Sequence, residues 1–86
     1  MKKIDFTKLK MFLDLEKTKE ETVNVRSSFA NMIYTGTNGI ESHALAYKIF
    51  NSKGVEEYDE NECAIIKKVA EYGLPKFIDA INEVLK

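Results

Sequence analysis

Leu9, Met11, Leu13 and Leu15 alternate with Lys10, Phe12, Asp14 and Glu16, the two-residue period of a strand with one buried face. Val23 and Val25 alternate the same way with Thr22, Asn24 and Arg26, and Lys17-Thr18-Lys19-Glu20 between the two runs is polar enough for a hairpin tip. A helix competes for the first run, because Leu, Lys, Met and Glu favour helices and Phe6, Leu9 and Leu13 share a helical face. Val-Asn-Val is poor helix material, and four alternating positions outweigh a weak propensity, so the pattern predicts a β-hairpin. Ile4 and Phe6 lie in the opposite phase from Leu9, which predicts a bend or bulge near Thr7-Lys8.

After the hairpin the period changes to three and four. Ser27 or Ser28 is positioned to cap a short helix with Phe29, Met32 and Ile33 on one face, stopped by Gly36. Thr35-Gly36-Thr37-Asn38-Gly39 reads as a turn, since glycine and asparagine tolerate positive φ. A second helix follows, with an apolar face formed by Ile40, Ala44 and Tyr47 together with Ala46, Ile49 and Phe50, and with Gly54 just beyond it as a C′ residue. Val55 to Tyr58 is a connector suited to pair with the hairpin as a third strand. Asp59 and Glu62 form an Asp variant of the capping box ahead of Ile65, Ile66, Val69 and Tyr72, and Gly73 ends that helix. Pro75 opens a last helix with Phe77, Ile78, Ile81, Val84 and Leu85 on its apolar face. The expected fold is therefore α+β: an N-terminal β-hairpin packed against three to four short helices in a single domain spanning residues 1–86. A lone hairpin is marginal in water, so the helices must cover its apolar face.

Composition adds bounds rather than chemistry. With 44% apolar and 31% charged residues over 86 positions, the chain suits one small folded core and argues against disorder. Thirteen basic against fourteen acidic residues give a net charge of −1, too little to recruit nucleic acid or a membrane by field alone. Asp5 and Lys8 interrupt any apolar segment of a signal peptide, and the longest apolar runs fall far short of the roughly 20 residues of a bilayer span. The expected location is the cytoplasm, with Cys63 reduced.

One cysteine and one histidine leave little material for a catalytic or metal constellation, so no catalytic residue, metal or cofactor is expected. Glu56, Glu57, Asp59, Glu60 and Glu62 lack the ligand alternation of a calcium loop and suit a helix N-terminus. The glycine turn before the second helix lacks the Lys-Ser/Thr ending of a phosphate-binding loop. Two helices around that turn also fit a weak helix-turn-helix, whose nucleic-acid contacts would be Lys2, Lys3, His43 and Lys48. A reading helix normally offers Arg, Lys, Asn or Gln to the groove, whereas this one offers mainly Ser42, His43, Lys48 and Asn51, and the only arginine of the chain is Arg26. Phe6, Phe12, Tyr34, Tyr47, Phe50 and Tyr58 exceed what the inner face of so small a core needs. Phe12 stands on the polar phase of its strand, which marks it, with Lys10 and Asp14, as a candidate interface for a homodimer through the hairpin.

Three stretches, Lys3-Ile4-Asp5-Phe6-Thr7-Lys8-Leu9-Lys10, Phe29-Ala30-Asn31-Met32-Ile33-Tyr34 and Leu45-Ala46-Tyr47-Lys48-Ile49-Phe50 before Ser52-Lys53-Gly54, give the chain a resemblance to small uncharacterised proteins of bacterial prophages and mobile elements. The resemblance implies a hairpin followed by helices and carries no catalytic motif. The expected function is a non-enzymatic protein–protein interaction module, with weak DNA binding as the alternative.

Overall fold

The computed structural model describes residues 1–86. In chain order the elements are β1 (Lys2–Ile4), β2 (Leu9–Phe12), β3 (Glu20–Val23), α1 (Arg26–Gly36), α2 (Ile40–Phe50), β4 (Glu56–Tyr58), α3 (Glu60–Ala70) and α4 (Pro75–Val84). The fold is α+β with two small antiparallel sheets. β2 pairs with β3 as the hairpin, with Leu9 opposite Val23 and Phe12 opposite Glu20. β4 pairs with β1 rather than with the hairpin, placing Lys2 opposite Tyr58 and Ile4 opposite Glu56. The break between β1 and β2 explains that choice. The Asp5 carboxylate accepts the Thr7 N–H, and Lys8 N–H bonds back to the Asp5 carbonyl, so the chain turns where the phase changes.

The hairpin strand is shorter than its alternation predicts. Leu9 and Met11 are buried, but Leu13 is 49% and Leu15 94% exposed. Leu13 still donates its N–H to the Lys19 carbonyl, after which the Asp14 carboxylate takes the N–H and hydroxyl of Thr18 and Lys17 adopts φ 58°. A local turn made by Asp14 replaces strand extension, and no core lies beneath Leu13 or Leu15. On the return strand Val25 is buried but lies outside β3, its N–H bonded to the Phe6 carbonyl at 2.9 Å.

Neither Ser27 nor Ser28 caps α1. Val25 is the N-cap and the helix starts at Arg26, whose N–H is taken by the Asn24 side chain at 3.1 Å, and the Arg26 guanidinium donates to the Ser52 carbonyl at 3.0 Å. Gly54 is likewise not a left-handed helix end, because α2 closes at Asn51 in right-handed geometry. Gly39 is the glycine that needs its freedom: with φ 102° it turns the chain into α2. The capping box of Asp59 and Glu62 forms in full, with both reciprocal bonds at 2.8–2.9 Å. α3 ends at Ala70, so Tyr72 falls in the following turn and is 76% exposed rather than facing the core. Gly73 in that turn lies against Phe77: a Cβ there would come within 2.8 Å of its ring.

One apolar cluster draws on every helix and on β1, β2 and β4. Its spine is aromatic. Tyr58 meets Phe6 edge-on at 5.6 Å, Phe6 stacks on Phe29 at 5.2 Å, and Phe29 meets Phe77 at 5.2 Å. These contacts tie β4 and the β1–β2 connection to α1 and α4 through ring–ring packing. No helix is long and apolar enough to cross a membrane.

Candidate functional site

The candidate site lies on α1 and α2, and it arises because α2 is apolar on both sides. Leu45, Ala46 and Ile49 point into the core. Ile40, Ala44 and Tyr47, spaced by four and three residues, fall on the opposite face and stand in solvent, Ile40 at 85% and Tyr47 at 49% exposure. Of the expected apolar face, Ala46 and Ile49 are buried, whereas Ile40, Ala44, Tyr47 and Phe50 stand outward. Neighbouring elements pack along the Leu45–Ile49 side, and an 11-residue helix on a small domain has no second layer to cover its other side. A helix apolar all round is ordinarily a buried helix.

α1 runs back along one flank of that face. The buried methyl groups of Ala30 and Ala46 form the floor of a shallow groove, with Tyr34, Tyr47 and Phe50 as walls and Asn31 at the rim, enclosing about 290 Å³. Small floor residues are what make room for it. Tyr34 and Tyr47 meet edge-on at 6.2 Å, and His43 lies 4.9 Å from Tyr47 and 6.1 Å from Tyr34. The rings therefore brace one another outside the core. The groove has no carboxylate, thiol or ammonium among its lining residues. What it offers is apolar area and a few neutral hydrogen-bonding groups, the composition of a contact surface rather than of an acid–base site.

A sequence signal for this site exists in the charge pattern. Residues 27–40 contain no charged side chain, in a chain that is 31% charged. The surplus of aromatic residues points to Tyr34, Tyr47 and Phe50 as well, but helical spacing alone places the latter two with the apolar positions of α2.

The residues expected to form a hairpin interface are engaged within the hairpin. Phe12 is half-buried with the Lys17 ammonium 5.1 Å from its ring centre, Lys10 pairs with Glu20 at 3.5 Å, and Asp14 holds Thr18. The hydrogen bonds from Thr18 hold the Asp14 carboxyl below its ordinary range. The residues expected to contact nucleic acid are spread over β1 and α2. Lys2 and Lys3 lie on β1, while His43 and Lys48 are five residues apart on α2, about 140° around the helix. Lys48 points toward β4 and α3, where its ammonium donates to the Glu57 carbonyl at 2.6 Å, pairs with Glu62 at 3.1 Å and sits 4.6 Å from the Tyr58 ring centre. Cys63, on α3, directs its thiol toward the Tyr58 carbonyl at 3.6 Å, and burial pushes its pKa up, away from the thiolate a nucleophile needs. Glu62 from the acidic stretch is used in the capping box and on Lys48, and no three His, Cys, Asp or Glu side chains converge in metal-binding geometry. Comparison with family models, curated proteins and solved structures finds no match to the chain.

Proposed function

We propose that the chain is a non-enzymatic protein-binding module, cytoplasmic and of prophage or mobile-element origin, whose docking surface is the outer face of α2 with its groove against α1. The observation that carries this reading is the second apolar face of α2: Ile40, Tyr47 and Phe50 remain in solvent although the opposite side of the same helix is fully packed. A contiguous exposed apolar patch on a small domain marks an interaction site. The aromatic walls are the residue types that anchor interfaces, and the neutral rim suits a protein partner better than phosphates.

A selection from a peptide library against the immobilised protein tests the reading. Ligands are expected to be recovered whose binding is lost in the Tyr34→Ser/Tyr47→Ser double variant, which removes the groove walls without touching the core. Recovery only of ligands indifferent to that variant contradicts it. Salt-sensitive retardation of duplex DNA, weakened by Lys2→Gln and Lys3→Gln, would instead support the DNA-binding alternative.

A further inference from the structure

We infer that the occupant of this face is a second copy of the chain, joined about a two-fold axis with the two α2 helices antiparallel and Ile40 of each copy seated against Tyr47 and Phe50 of the other. The inference rests on the docking reading above and adds the identity of the partner.

Three observations point to self-pairing. The first is complementarity within the face itself. The projecting side chain, Ile40, stands at the N-terminal end of α2, and the groove walls Tyr47 and Phe50 stand toward its C-terminal end. Ile40 and Phe50 are ten residues apart, about 15 Å along the helix. An antiparallel partner centred near Ala44 and Leu45 brings each Ile40 to the other's groove, so the same contact is made twice, as a two-fold interface requires. Ala44 lies near the axis, and its small side chain lets the two helices approach closely.

The second observation is charge. A two-fold axis sets a surface against itself, so like charges on it oppose one another. On the groove side of α2, Ile40, His43, Tyr47 and Phe50 include no Asp, Glu, Lys or Arg, the charged Glu41 and Lys48 lie beyond Ala44 on the side away from the groove, and the adjoining α1 residues up to Thr35 carry no charge after Arg26. The neutral face is thus free of the repulsion that most of this heavily charged surface would impose. Antiparallel helices also set opposite dipole ends side by side.

The third is area. Tyr34, Tyr47 and Phe50 are each about half exposed and Ile40 almost wholly so. At the areas typical of such side chains they supply roughly 400 Å², about half of the ~800 Å² that each partner buries in a standard interface. Asn31, His43 and Asn51 around them add a polar rim, and Ala44 adds to the centre.

Sedimentation equilibrium of the full chain tests this directly. The wild-type protein is expected to sediment at twice its 9.9 kDa mass at high micromolar concentration. Ile40→Glu and Phe50→Lys are each expected to sediment as monomers with unchanged helical circular dichroism. An equimolar mixture of the two variants is expected to recover the double mass, because the antiparallel register sets the introduced carboxylate against the introduced ammonium. Phe12→Ser, on the hairpin, is expected to remain dimeric. A wild-type monomer, or a dimer that survives both α2 substitutions, overturns the proposal. A wild-type monomer whose peptide ligands are still lost in the Tyr34→Ser/Tyr47→Ser variant overturns self-pairing alone and leaves the docking reading standing.

Discussion

Tyr58 shows how a single side chain can serve packing at the expense of its polar atom. Its ring is fully buried between Phe6 and the Lys48 ammonium, yet its hydroxyl has no hydrogen-bond partner. An unsatisfied buried hydroxyl costs free energy that the ring contacts must offset. Tyr58→Phe keeps the ring and is expected to raise stability by about 1 kcal/mol in chemical denaturation. Burial, with the nearby charges of Glu56, Glu62 and Asp5, also pushes the phenol well above its ordinary value of 10.0. The unfolded chain therefore ionises first. Below that ordinary value the contribution of Tyr58 is fully present, and it is lost as pH climbs past it toward the raised folded value. The wild type is thus expected to lose stability more steeply above pH 10 than Tyr58→Phe. Equal slopes in pH-dependent melting would contradict this account.

Elements in this chain are decided by local chemistry where it is strong and by tertiary supply where it is not. The capping box of Asp59 and Glu62 is legible in the sequence and forms as read, because both bonds lie within one helical turn. Asp59→Ala is expected to cost about 1 kcal/mol, measured by urea denaturation. Pro75 at the start of α4 is legible for the same reason. The hairpin is legible in kind but not in length: Leu9 and Met11 have core above them, whereas Leu13 and Leu15 repeat the pattern beyond it. Met11→Ala is accordingly expected to cost about 2–5 kcal/mol, and Leu15→Ser to stay within about 0.5 kcal/mol of wild type. Comparable losses at both positions would mean that the strand continues past Phe12. The pairing of β4 with β1 was not legible, since three-residue strands carry too little pattern to name a partner.

At the scale of the whole molecule, the informative failure of sequence reading is α2. Its spacing correctly marks a helix and correctly marks apolar stripes, but periodicity cannot say which stripe the rest of the chain will cover. The core takes Leu45, Ala46 and Ile49, and Ile40, Ala44 and Tyr47 remain outside for want of another layer. The candidate site was therefore legible as residues and not as a surface. Concentration-dependent amide chemical shifts test the central claim most directly, because they report where on the molecule association occurs. On dilution from high micromolar concentration, the shifts that move are expected to cluster at Ile40, His43, Ala44, Tyr47 and Phe50 and at Tyr34 and Asn31 across the groove. Spectra that do not change with concentration, or changes confined to Lys10, Phe12 and Asp14 on the hairpin, would contradict it.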